Sequence, residues 1–133
     1  MAEHKCGEDW LVIPIKPLSV NGAWQGKRYK SKEYKAYCKD VPLFLPSHIT
    51  IPKGHMIICF DWYFSSTRSD WDNPIKPLQD IICNAYGLED NNFYRAIIRK
   101  HIIEKGKERS EFRIHEASDK NLEIIDRMLD YLE

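Results

Sequence analysis

The chain has 133 residues, its 20 Lys and Arg cancel 20 Asp and Glu, and 43% of it is hydrophobic. That is enough to bury one core without disulfides or a structural metal, so a single domain over residues 1–133 is expected. No run approaches the roughly 18 apolar residues of a membrane span, and with no net charge only its local distribution can signal a polyanionic partner.

Residues 1–9 carry acids and no apolar stretch, so no secretory signal is expected there. Cys6, Cys38, Cys59 and Cys83 are widely spaced and form no Cys-x-x-Cys pair. Reduced thiols in a cytoplasmic protein are therefore expected in preference to zinc. Residues 10–16 read as a first strand that Pro14 confines to the region of an edge. Residues 17–26 are irregular, as Pro17, Asn21-Gly22 and Gly26 demand. Lys27, Arg28, Lys30, Lys32, Lys35 and Lys39 then follow closely, with Glu33 the only acid among them. Two readings stay open for this run, a solvated helix face or a track for DNA phosphates, with Tyr29, Tyr34 and Tyr37 packing or stacking beside it.

Ser31 is placed to cap a helix reaching Cys38 or Leu45, with Tyr34, Tyr37 and Val41 inward and Pro42 and Pro46 limiting its end. Pro52-Lys53-Gly54 is a turn. Residues 55–64 are β-rich and strongly apolar, which predicts a central strand. The spacing predicts a helix over 73–86, with Pro74 at its first position, where a missing N–H costs nothing. It should bury Ile75, Leu78, Ile82 and Ala85, with Ile81 at the margin; Pro77 is tolerated in the first turn. Residues 94–104 fit helix or strand, and the Lys105-Gly106-Lys107-Glu108 turn with the alternation over 111–115 favours two hairpin strands. Leu122, Ile125, Met128, Leu129 and Leu132 recur at helical spacing. Around them Glu116, Asp119, Glu123, Asp126, Asp130 and Glu133 are met only by Lys120 and Arg127. The sum is an α+β domain, a mixed sheet with about three helices.

The chemistry gathers at Asp70-Trp71-Asp72-Asn73, followed by Lys76, Asp80, Glu89 and Asp90. Asp70 and Asp72 lie two apart, on one side of an extended segment. Lys76 and Asp80 share a helix face, and Asp90 can return to them after a helix end at Gly87. Oxygen ligands of this kind suit a hard cation such as Mg²⁺. Each residue also has a plain structural role: Asp72 or Asn73 as a helix cap, Lys76 with Asp80 as a surface pair, and Asp90 in an ordinary turn. No histidine has ligand spacing, and the sequence holds no Ser-His-Asp order or glycine-rich phosphate loop.

Over roughly residues 14–114 the chain resembles the RusA-type Holliday junction resolvases. The likeness is most specific in Asp70-x-Asp72-Asn73-x-x-Lys76-x-x-x-Asp80 and Glu89-Asp90, and weaker in residues 17–21 with the basic segment after them. The chain differs from the family pattern at Pro74, at Glu89-Asp90 where a pair of aspartates is usual, and beyond Ala117, which has no clear counterpart in short members. The resemblance implies a small, homodimeric, Mg²⁺-dependent endodeoxyribonuclease, with Mn²⁺ an alternative ion, of a kind often encoded by phages and prophages. Such an enzyme nicks four-way junction DNA symmetrically and leaves 5′-phosphate and 3′-hydroxyl ends. By that likeness Asp70, Asp72 and Asp90 hold the metal, Lys76 is the active-site cation, and Asp80 and Glu89 assist. Lys27, Arg28, Lys30, Lys32 and Lys35 would hold the DNA backbone, and the two-fold surface would be sought at strand 55–64 or at exposed aromatics such as Trp24. A DNA-binding protein that does not cut, and a nuclease acting on other branched DNA, are the alternatives.

Overall fold

The computed structural model of the protein describes residues 10–18, 24–25 and 29–133, and at 24–25 and 29–30 the backbone alone. In chain order these residues form β1 (Leu11–Ile13), β2 (Trp24–Gln25), β3 (Tyr29–Lys30), α1 (Lys32–Asp40), β4 (Met56–Phe64), α2 (Ile75–Tyr86), β5 (Phe93–Ile102), β6 (Arg109–Glu116) and α3 (Asp119–Asp130). Short 3₁₀ turns occupy Val41–Phe44 and Asp90–Asn92. β1, β6, β4 and β5 make one four-stranded mixed sheet in that order, and β2 with β3 a separate ribbon. This is the α+β architecture that the sequence predicts.

β4 is central. It runs parallel to β5 and antiparallel to β6, and all its residues except Tyr63 are buried. Cover on both faces explains its apolar run, which only Asp61 interrupts. It also removes β4 as a surface for a second subunit. β1 lies at the edge, shorter than expected because the strand stops before Pro14. The hairpin expected from 94–104 and 111–115 needs correction. Both segments are strands, yet β4 lies between them. Their connection crosses the end of β4, where Ile103 N–H donates to the Phe64 carbonyl at 2.7 Å and Ser65 Oγ to Glu108 Oε2 at 2.9 Å. The winning interaction is the β4–α2–β5 crossover, which sets β5 parallel to β4 on one side and leaves β6 antiparallel on the other.

Strand alternation assigns the layers. Met56, Ile58, Phe60, Trp62 and Phe64 of β4 point to the inner face, with Phe112 and Ile114 of β6. There they meet Tyr34 and Tyr37 of α1, Val41 and Leu45 after it, and Leu78, Ile81 and Ile82 of α2. Ser31 caps α1 as expected, accepting from the Tyr34 N–H at 3.1 Å. α2 begins two residues later than predicted, with Pro74 as the residue before it and no side-chain cap, so neither Asp72 nor Asn73 caps the helix. Ile81 is buried and Ala85 exposed, against the expectation; Ala85 shares the angular sector of Leu78, Ile81 and Ile82, so its exposure comes from its place in the last turn of the helix. α3 lies by the outer face, beside Ile57, Cys59 and Ile97. No helix among the described residues is long and apolar enough to cross a membrane.

Candidate acidic cleft

Residues 65–74 leave β4 and carry the first two acids. A turn at Ser66 starts this loop, closed by the Ser69 N–H on the Ser66 carbonyl at 3.3 Å. Lys100 of β5 reaches over and donates to the carbonyls of Thr67 at 2.8 Å and Ser69 at 2.5 Å. Asp70 follows directly, so one lysine side chain ties the acidic motif to the end of the sheet. The sequence offered no sign of this role for Lys100, since the contact joins residues more than thirty positions apart.

Asp70 Oδ2 accepts from Asn73 Nδ2 at 3.3 Å, and the Ile75 N–H donates to the Asp72 carbonyl at 3.2 Å. The segment is therefore a turn, and the extended alternation assumed for Asp70 and Asp72 does not hold. Both are exposed.

α2 supplies the cation. Lys76 Nζ donates to Asp80 Oδ1 at 2.7 Å and stands 4.0 Å from Asp90 Oδ2. The helix ends at Gly87, whose φ of +65° lets the chain reverse, and the Leu88 N–H bonds back to the Cys83 carbonyl at 2.9 Å. That reversal returns Asp90 toward Lys76. The hydrogen bond to Asp80 raises the Lys76 pKa above the ordinary lysine value, and the Asp90 carboxylate adds to it, so Lys76 is charged across the neutral range.

Asp80, Cys83, Asn84, Glu89, Asp90 and Asn91 line one open cleft of about 680 Å³. Burial, then the Asp90 and Asp80 carboxylates, push the Cys83 thiol up to about 11. It stays protonated and is no nucleophile at neutral pH. Asp80 also borders a second groove, between α1 and α2, with Tyr34, Cys38 and Asn84. The acidic cleft thus continues toward the basic helix.

Among the described residues no three His, Cys, Asp or Glu side chains stand close enough together to hold a metal ion. The expected three-carboxylate set of Asp70, Asp72 and Asp90 is not assembled; Asp80 and Asp90 meet instead, around the Lys76 ammonium. Their donor chemistry still suits Mg²⁺, which commonly takes one or two carboxylates and completes its shell with water and substrate phosphate. A cation already favoured between two carboxylates marks where positive charge is stabilised.

Of the expected DNA contacts, Lys27 and Arg28 lie outside the described residues. Lys30 is on β3, opposite Trp24 of β2. Lys32, Lys35 and Lys39 are exposed on α1. Tyr34 and Tyr37 are buried beneath them, so these two rings pack the core and are not available for stacking on bases. No protein-family model matches the chain, and no curated protein matches it.

A second polar constellation, on the outer sheet face, has no counterpart in the expected site. Asp61 is 2% exposed and accepts two bonds of 2.6 Å from Arg99 and one contact of 3.0 Å from His101. Burial opposes its ionisation, but the hydrogen bonds from Arg99 and His101 outweigh it and hold the carboxyl below the usual range. His101 stacks on Tyr63, and the Arg109 guanidinium lies 3.7 Å from that ring's centre. An isolated Asp in an apolar strand is the one sequence signal that pointed here.

Proposed function

We propose that the protein is a Mg²⁺-dependent, structure-selective endodeoxyribonuclease that resolves four-way DNA junctions by paired symmetric nicks, acting in the cytoplasm as a homodimer. The observation that carries this reading is that Asp80 and Asp90 line one cleft and both approach the Lys76 ammonium, from sequence positions that the RusA-like motif also marks. Free thiols at Cys38, Cys59 and Cys83 are consistent with a reducing compartment.

In the hydrolysis, water oxygen attacks phosphorus, the bond from phosphorus to the 3′-oxygen breaks, and that oxygen leaves with a proton as the 3′-hydroxyl. The product keeps the 5′-phosphate. When bound, Mg²⁺ polarises the phosphate and lowers the pKa of the attacking water. Asp80 and Asp90 would hold it; the motif also marks Asp70 and Asp72 of the adjoining loop and Glu89, and the Asp72→Asn variant tests the part of the loop acids. Lys76 is positioned to exchange its carboxylate partners for the substrate phosphate, whose charge grows in the transition state. Lys32 and Lys35, with Lys27, Arg28 and Lys30 before them, supply sequence-independent affinity for the backbone.

A DNA-binding protein that does not cut is favoured by one observation: the Lys76 ammonium already neutralises the Asp80 and Asp90 pair. One gel separates the readings. A synthetic four-way junction incubated with protein should be nicked in Mg²⁺ and left intact in EDTA. Asp90→Asn and Asp72→Asn should each bind the junction and fail to nick it. Binding without any nicking in Mg²⁺ or Mn²⁺ selects the second reading, retained cleavage by both variants refutes the assignment of the acids, and flap or plain duplex controls test whether four-way junctions are preferred.

A further inference from the structure

Ser110 breaks the apolar inner row that Phe112 and Ile114 continue along β6. It faces Trp62 of β4 on one side and Ile13 of β1 on the other. Facing residues of antiparallel strands hold their Cβ atoms about 4.5–5.5 Å apart, so a hydroxyl stands beside an indole in the core. Trp62 and Ser110 are 0% exposed and Tyr37 is 4% exposed. Tyr37 comes from α1, one helical turn before Val41, and the 3₁₀ turn beginning at Val41 packs on β1. That docking sets the phenol over the Ser110 side of the sheet. Burial, then the Cys38 thiol, raise the Tyr37 pKa, and the nearby Ser110 hydroxyl opposes them; the phenol keeps its proton. Among the described residues, Tyr37 Oη, Trp62 Nε1 and Ser110 Oγ have no hydrogen-bond partner. Polar groups left unpaired in a core are rare, because each forfeits its bonds to water.

We infer that Tyr37, Trp62 and Ser110 form a site for one internal water molecule, which bridges helix α1 to strands β4 and β6. A count of donors and acceptors selects the ligand. The indole N–H and the two hydroxyls are three donors, but only the two hydroxyl oxygens accept. Any direct pairing of the three therefore leaves one hydrogen over. A water that accepts from the indole and from Tyr37, and donates to Ser110, gives every group a partner. It then makes three hydrogen bonds, the usual number for a buried water. Serine is much smaller than the Phe112 and Ile114 beside it in the row, and polar-lined space in a core takes up water where apolar space stays dry. A metal ion fits poorly, because the lining has no carboxylate and the indole can only donate. The site concerns the docking of α1, which carries Lys32, Lys35 and Lys39 on its outer side, and does not rest on the proposed activity.

A high-resolution crystal structure of the full wild-type chain tests the site directly. One ordered water should lie within about 3.2 Å of Tyr37 Oη, Trp62 Nε1 and Ser110 Oγ. No density there, or a direct bond between Tyr37 and Ser110 in its place, overturns the inference. A double-mutant cycle reads the bridge in solution. Tyr37→Phe and Ser110→Ala should each lower the melting temperature, and the double variant should lose clearly less than the two losses summed, because either change breaks the same bridge. Fully additive losses overturn the bridge. Should a variant fail to fold, the wild-type density decides alone. Junction cleavage bears on neither outcome.

Discussion

Lys76 shows why a single side chain can matter more than its stability contribution. It is exposed, and an exposed i,i+4 pair with Asp80 contributes only a few tenths of a kcal/mol. Its value lies in position, between two carboxylates beside an open cleft. Lys76→Met should lower nicking about 10²- to 10³-fold while the junction dissociation constant and the melting temperature barely move, as single-turnover cleavage and a thermal melt would show. Lys100 acts at one remove, through the loop carbonyls of Thr67 and Ser69. Its replacement by Met should loosen the Asp70 loop and reduce nicking roughly 10- to 100-fold, again with little loss of stability. Asp61 is the opposite case, a buried charge whose partners hold it ionised. Its folded pKa lies below the unfolded value of about 3.9, so its contribution is complete above that pH and drains away as pH falls toward the folded value. Asp61→Asn should destabilise the protein near neutral pH by about 2 kcal/mol. The two melting curves should converge below pH 4, and a constant gap down to pH 2 would contradict the role given to the carboxylate.

At the level of elements, the caps and the crossover were unequally visible. Ser31 announced the start of α1 because an N-cap is a local interaction, decided within four residues. Ser31→Ala should cost about 1 kcal/mol, measured by urea unfolding. Gly87 was equally visible as the end of α2, since φ of +65° penalises any side chain there. The pairing of β5 was not visible. Periodicity marks a strand and its faces but not its neighbour, and the short Gly106 turn between β5 and β6 looks like a hairpin until β4 is placed between them. The burial of Ile81 and the exposure of Ala85 have the same origin, because the extent of the surface a helix packs on is not written in its own periodicity.

For the whole molecule, charge is arranged by layer. The basic helix α1 and the acidic cleft of α2 are on the inner side of the sheet, and the acidic α3 on the outer. DNA held along α1 should therefore bind with steep salt dependence, its affinity falling linearly with log salt concentration. Replacing Lys32 and Lys35 by Ala should weaken binding to junctions of every sequence alike and reduce that slope by about one for each phosphate no longer neutralised. An unchanged slope would move the DNA track elsewhere.

What the sequence determined by itself is local. The capped start of α1, the end of α2 at Gly87, the apolar period of each element, the central character of β4 and the chemical identity of the Asp70 to Asp90 motif all follow from residues a few positions apart. What only the tertiary structure decided is which distant groups meet: Asp80 and Asp90 around Lys76, Lys100 on the Thr67 and Ser69 carbonyls, and Arg99 and His101 on Asp61. The reason is that backbone preference is settled within a turn of chain, whereas a side chain's partner depends on how the layers stack, and many strand orders share one pattern of hydrophobicity.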